Sequence, residues 1–197
     1  ARRDGHFVAV NTTAEVSVSD DGGASWSLAQ SDCQVFNSRT IVYGNGLYVV
    51  SGSGGYDNDY PWRVGAGSSP GSISLVHETD PLGSMLETWA AFFKGNFYVA
   101  NTDGEILKGG SDASTWQVVH TAASGFQFMY HLPGPDVLVA GNWGEVVFSW
   151  DGETWETSNT FESQYGYKNT IKAVSAMETG PNLGFWTGYY FTREITS

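Results

Sequence analysis

One stretch of the chain gathers most of the side chains that can do chemistry at close range. It is Tyr56-Asp57-Asn58-Asp59-Tyr60-Pro61-Trp62-Arg63, flanked by Gly- and Ser-rich sequence. Aromatic rings beside carboxylates and amides suit sugar recognition, the ring stacking on C–H faces while the polar groups take hydroxyls. The same set suits a protein partner. Tyr56, Asp57, Asp59, Tyr60, Trp62 and Arg63 are therefore expected to bind a ligand, together with Asn142 and Trp143 of a Gly-Asn-Trp-Gly turn. A solvated loop without function is the plain alternative. Asp57 and Asp59 also offer oxygen ligands of the kind Ca²⁺ takes. The stretch lacks the Gly and terminal Glu of an EF-hand loop, so no metal centre and no cofactor are expected. Asn101-Thr102-Asp103 and Phe161-Glu162-Ser163-Gln164-Tyr165 are further candidates. His6, His77, His120 and His131 show no metal-ligand spacing and read as strand-end surface residues. Cys33 has no base beside it to activate a thiol. No catalytic residue is nominated.

Composition limits the partners. The chain has 197 residues, enough for one domain with a substantial core. Nine Lys and Arg stand against 21 Asp and Glu, a formal charge of -12. That balance opposes a sequence-independent grip on nucleic acid, which needs clustered cations to displace counterions. It also opposes docking to an anionic membrane, and no apolar run approaches the length of a membrane-spanning helix. A single cysteine excludes an internal disulfide framework. Twenty-five Gly, eight Trp, ten Tyr and eleven Phe lean towards an all-β fold.

The elements that must position the candidate residues recur. A turn followed by four mostly apolar residues appears at Phe7-Val8-Ala9-Val10, Leu47-Tyr48-Val49-Val50, Phe97-Tyr98-Val99-Ala100, Val137-Leu138-Val139-Ala140 and Leu183-Gly184-Phe185-Trp186, at intervals of 40, 50, 40 and 46 residues. A second run precedes each later copy, at Arg39–Tyr43, Thr88–Phe93, Phe126–Tyr130 and Thr170–Val174. Short strands repeating every 40–50 residues predict blades of four strands in a β-propeller. Apolar runs on both strands fit strands covered on two faces.

A different turn closes the second half of several repeats. It reads Ser19-Asp20-Asp21-Gly22-Gly23-Ala24-Ser25-Trp26, then Gly110-Ser111-Asp112-Ala113-Ser114-Thr115-Trp116, then Ser149-Trp150-Asp151-Gly152-Glu153-Thr154-Trp155. An Asp carboxylate can accept backbone N–H groups across such a turn, Gly supplies an angle that a Cβ penalises, and Trp packs its face into the sheet gap. Ser19, Asp21, Gly23, Trp26, Asp112, Trp116, Ser149, Asp151, Gly152 and Trp155 are thus expected to be structural. A missing copy is expected between Gly71 and Asp80. The pattern resembles the Asp-box, or BNR repeat, of sialidase-like and sortilin-like propellers, a family that includes phage-encoded modules. The resemblance implies a propeller with these turns away from the functional face.

The whole chain, residues 1–197, is expected to form one all-β domain of about five four-stranded blades with incomplete terminal blades. Residues 5–30 supply three strands, and residues 170–197 two or three, the last at Tyr189–Thr192. The domain is either a compact ring or a segment of a longer propeller. In the resembling sialidases three arginines hold a carboxylate. Here only Arg39, Arg63 and Arg193 lie outside the terminus, and the Arg-Ile-Pro signature is absent. The expected function is therefore non-catalytic recognition of a glycan or a surface receptor, displayed outside the cell or on a virion as in a phage tail. A structural subunit of a larger assembly is the alternative, and a glycoside hydrolase is less favoured. The long loop after the second repeat, Ser51 to Ser72, is the expected site.

Overall fold

The computed structural model describes residues 1–3, 5–53, 61–79, 87–142 and 145–158, and the backbone of strands at 176–179, 182–186 and 192–196. The described residues are all-β and form five antiparallel sheets, each built from strands adjacent in sequence. The first blade contains β1 (Arg2–Arg3), β2 (His6–Val10), β3 (Val16–Ser19) and β4 (Ser27–Gln30). The second contains β5 (Ile41–Gly44), β6 (Leu47–Ser53), β7 (Trp62–Gly67) and β8 (Ser74–Glu78). The third contains β9 (Thr88–Phe93), β10 (Asn96–Asn101), β11 (Glu105–Gly109) and β12 (Trp116–Thr121). The fourth contains β13 (Phe128–Leu132), β14 (Val137–Gly141), β15 (Val146–Ser149) and β16 (Glu156–Ser158). A last sheet joins β17 (Ala176–Thr179), β18 (Asn182–Trp186) and β19 (Thr192–Thr196).

Three expectations are corrected. The first blade has its own first strand, because Arg2 and Arg3 pair with Phe7 and His6. In the last sheet the strands before and after β18 lie at 176–179 and 192–196, later than expected; residues 170–174 lie outside the described residues. The stretch 51–72 is not one long insertion. β6 runs on to Ser53, β7 begins at Trp62, and residues 68–73 turn into β8. The turn between β7 and β8, where the Asp motif is missing, spans 68–73 and overlaps only the start of the expected region 71–80.

Register explains the packing. The Asn45-Gly46 and Lys94-Gly95 turns both place two residues at positive φ (49° and 82°, 46° and 80°), as a two-residue hairpin matched to strand twist requires. They set Gly44 opposite Leu47 and Phe93 opposite Asn96. Side chains then alternate between the two neighbouring blades. Phe97 and Val99 join a core with Val49, Trp62 and Val64 of the second blade. Tyr98 and Ala100 join one with Leu138, Ala140 and Val147 of the fourth. Val8 and Val16 pack with Tyr48 and Val50 between the first and second blades. Phe97, wholly buried, contributes about 1.5–3 kcal/mol by removing its ring from water. Cys33 is buried in the interface between the first and second blades, and burial pushes its thiol pKa up, the opposite of an activated nucleophile.

Candidate functional site

The first strands of the second, third and fourth blades are edge strands of their sheets. β5, β9 and β13 line an open central cavity of about 450 Å³, with Ala9 and Val10 of β2 completing the described wall. Its surface is small or apolar at Ala90, Ala91 and Met129, and polar at Thr40. Tyr130 is 39% exposed and stacks on Phe128 with ring centroids 5.7 Å apart. Two nitrogen-bearing side chains, Arg39 and His131, border the cavity, and each lies against an acid. Arg39 pairs with Glu87. His131 Nε2 lies 3.0 Å from Asp136, which also faces Lys94. The Thr40 hydroxyl accepts the Ala90 backbone N–H at 2.6 Å and ties β5 to β9 at the rim. No group of acidic, His or Cys side chains among the described residues is arranged to hold a metal ion.

Of the residues nominated from sequence, the three that are described, Trp62, Arg63 and Asn142, do not line this cavity. Tyr56, Asp57, Asp59, Tyr60 and Trp143 lie outside the described residues. Trp62 is 6% exposed, so its ring is no stacking platform for a ligand. It meets Trp116 of the third blade edge-on at 5.3 Å and His77 at 4.9 Å. Its Nε1 donates to Ser51 Oγ, which donates to Thr88 Oγ1, both at 2.9 Å. Arg63 pairs with Glu78 on the neighbouring strand and donates to the Gln34 carbonyl. Asn142 is wholly buried, and its amide donates to the Ser124 carbonyl at 2.9 Å and to Glu145. Trp62 thus joins the second and third blades, while Arg63 and Asn142 tie their own blades to the connecting segments at Gln34 and Ser124. His120, expected at the surface, is half-buried against Trp155 at 5.7 Å, and burial lowers its pKa.

The aspartates, serines and glycines of the expected turns behave as turn formers, whereas Trp26 is 49% exposed and does not pack into the sheet gap as expected. Asp21 accepts the Ser25 N–H at 2.9 Å and hydroxyl at 2.6 Å, and the Ser19 hydroxyl at 2.8 Å. Gly23 N–H donates to Ser19 Oγ, and Trp26 Nε1 to the Gly23 carbonyl. Asp151 accepts the N–H groups of Glu153 and Thr154 and the Ser149 hydroxyl, while Gly152 N–H donates to Ser149 Oγ. Asp112 accepts the Ser114 N–H, and Trp116 Nε1 donates to the Ala113 carbonyl. These bonds favour the carboxylates and lower the pKa of Asp21 and Asp151 to about 2. None of the three aspartates lines the cavity.

A second repeated turn had no place in the sequence reading. Between β2 and β3, Asn11 Oδ1 accepts the N–H groups of Thr13 and Glu15, and its amide donates to the Glu15 carboxylate. Between β10 and β11, Asn101 Oδ1 accepts those of Asp103 and Glu105, and its amide donates to Glu105. Asn142 and Glu145 form a shorter version. Asn101 and Asp103, nominated as ligand contacts, are thereby turn residues. The spacing Asn-x-x-x-Glu at 11–15 and 101–105 was the available signal.

No protein-family model matches the chain, and no curated protein does. Solved structures do. The propeller in a nidogen/laminin complex superposes with a TM-score of 0.62 at 10% identity, covering 93% of this chain and 68% of that one. YCF48 bound to a D1 peptide gives 0.61 at 16% identity, covering 91% and 60%. A computationally designed protein, Ika4, gives 0.54 at 10%, covering 81% and 90%. At these identities the likeness is one of fold, and with the antiparallel sheets it makes the chain a β-propeller of four to five blades.

Proposed function

We propose that the domain is a non-catalytic recognition propeller that takes a protein partner at its central cavity. The observation that carries this reading is the open cavity itself: about 450 Å³, apolar along its wall, with an exposed aromatic ring and the Arg39 guanidinium at its border. Concave sites of that make-up suit a loop or extended segment of a partner. The nidogen and YCF48 structures were solved with laminin and a D1 peptide respectively, which supports partner binding as a use of the fold. A surface receptor is favoured over a glycan because Trp62 is a core ring and offers no sugar platform. The aspartates of the three turns are held ionised, so they are poor proton donors near neutrality. The acidic, Gly- and aromatic-rich composition suits display outside the cell or on a virion.

The test is a panel of cell-surface protein ectodomains and a glycan array, probed with the parent and with Tyr130→Ala and Arg39→Ala. Protein binding that falls about tenfold in Tyr130→Ala is expected. Glycan binding that survives both substitutions would sink the reading. A parent that binds neither panel favours the assembly-subunit role.

A further inference from the structure

Two consecutive blades are latched to the next by the same turn position. Asn45 and Lys94 are each the first residue of a two-residue hairpin turn, with φ of 49° and 46°, and each sends its side-chain nitrogen across to the following blade. Asn45 Nδ2 donates to the Gly95 carbonyl at 2.8 Å and to the Ser111 carbonyl at 3.4 Å. Lys94 Nζ donates to the Trp150 carbonyl at 2.6 Å and faces Asp136 at 3.7 Å. Ser111 and Trp150 hold equivalent places, each directly before the aspartate of its blade's turn, Asp112 and Asp151. The latch residue therefore has to be a donor, and at Asn45 both acceptors are backbone oxygens.

The second-blade latch differs from the third in its chemistry. Asn45-Gly46 is the one Asn-Gly dipeptide of the chain. An Asn carboxamide is open to attack by the backbone nitrogen of the next residue, which is one source of its thermal lability. Here that nitrogen is available. Gly44 and Leu47 close the ladder, so the Gly46 N–H lies outside it, and among the described residues no hydrogen bond holds it. Both turn residues are exposed. Gly46 has no Cβ, and nothing lies within 4 Å of where one would stand. The related Asp-Gly dipeptides at 103–104 and 151–152 are closed to the same attack. The Gly104 N–H is bonded to the Asn101 carbonyl at 3.3 Å, and the Gly152 N–H to Ser149 Oγ at 2.7 Å.

We propose that Asn45 is a site of spontaneous modification that unlatches the second blade from the third. The Gly46 nitrogen bonds to Asn45 Cγ as the Cγ–Nδ2 bond breaks, and the Gly46 proton leaves with Nδ2 as ammonia. Water then opens the five-membered imide at either of its carbonyls, leaving aspartate or isoaspartate. The product sets an ionised carboxylate, which only accepts, against the Gly95 and Ser111 carbonyls, so both hydrogen bonds are lost and oxygens face oxygens. Isoaspartate also lengthens the backbone of a turn whose geometry fixes strand register. The carboxamide must swing off Gly95 before it is attacked, so the intact latch slows its own loss.

The experiment holds the whole chain in warm, mildly alkaline buffer and follows Asn45 by peptide mapping, with a capped peptide of residues 41–50 as the rate reference. A gain of about 1 Da at Asn45 is expected, slower in the folded chain than in the peptide and split between aspartate and isoaspartate. Asn45→Asp supplies one product directly and should lower Tm by about 2–4 °C. Asn45→Lys writes in the third-blade latch residue, and should gain no mass and keep the parental Tm. An Asn45 that stays unmodified in the folded chain after the peptide has fully converted overturns the site. A Tm for Asn45→Asp equal to that of the parent overturns the unlatching.

Discussion

The side-chain amide of Gln30 and the backbone of Ile73 exchange two hydrogen bonds: Nε2 donates to the Ile73 carbonyl at 2.8 Å, and the Ile73 N–H donates to Oε1 at 3.0 Å. A side chain thus imitates one rung of a sheet ladder between the outer strand of the first blade and the start of β8 in the second. Ile73 is buried, so removing the amide leaves two backbone groups unpaired away from water. Gln30→Ala is expected to cost about 2 kcal/mol, read as a lower urea midpoint at unchanged slope. Gln30→Glu should cost at least as much, because a carboxylate cannot donate to the Ile73 carbonyl. Equal midpoints for parent and Gln30→Ala would show that water replaces the amide.

The fourth-blade turn makes a sharper prediction. Gly152 has φ of +82°, and an added Cβ would fall within the Tyr98 hydroxyl. Gly152→Ala is therefore expected to cost about 2–4 kcal/mol through strain and overpacking together. The Tyr98 hydroxyl is buried without a partner, and burial raises its pKa to about 12. Tyr98→Phe should then be neutral or stabilising by about 1 kcal/mol. In the double variant the two changes should couple, because the hydroxyl that blocks the Cβ is gone. Strict additivity in thermal melts would refute the contact.

The outcome at Trp62 shows which parts of this fold can be read from residues. The inner strands were legible because both faces are covered, and Phe97–Ala100 and Val137–Ala140 read as unbroken apolar runs. The Asp turns were legible because carboxylate, Gly and Trp occur at fixed offsets, each needed by one bond of the turn. Trp62 was misplaced because it follows Pro61 and a polar stretch, which reads as a loop tip. The contrary signal was the alternation of Trp62, Val64 and Ala66, which all bury on one face. Asn101 misled for a different reason. An amide that caps a turn and an amide that awaits a ligand are the same residue, and only the Glu four positions on distinguishes them.

That Asn–Glu turn is testable. Asn101 is 3% exposed and serves the N–H groups of Asp103 and Glu105 as well as the Glu105 carboxylate. Asn101→Ala is expected to cost about 2 kcal/mol. Asn101→Asp keeps the acceptor but sets a second carboxylate against Glu105, so its Tm should fall between parent and Asn101→Ala at pH 7. A Tm for Asn101→Asp equal to that of the parent would rule out the carboxylate contact.

Acid stability should have two separable limbs. Asp21 and Asp151 have pKa values lowered to about 2 from 3.8. A depressed carboxylate adds stability above its unfolded pKa and loses it as pH falls towards the folded one, so their share disappears between about pH 4 and pH 2. Histidine 120 acts higher. Burial beside Trp155 and Phe126 lowers its pKa below 6.5, with the Glu145 charge opposing in part. The folded chain then binds the proton less readily than the unfolded one, and stability is full above the unfolded pKa and falls as pH drops through 6.5. His120→Gln removes the titration. Its Tm should fall less than that of the parent between pH 7.5 and pH 5, while Asp21→Asn with Asp151→Asn should flatten only the limb below pH 4. The same Tm drop from pH 7.5 to 5 in parent and His120→Gln would mean that the imidazole at the interface of the third and fourth blades gains its charge without resistance from the fold.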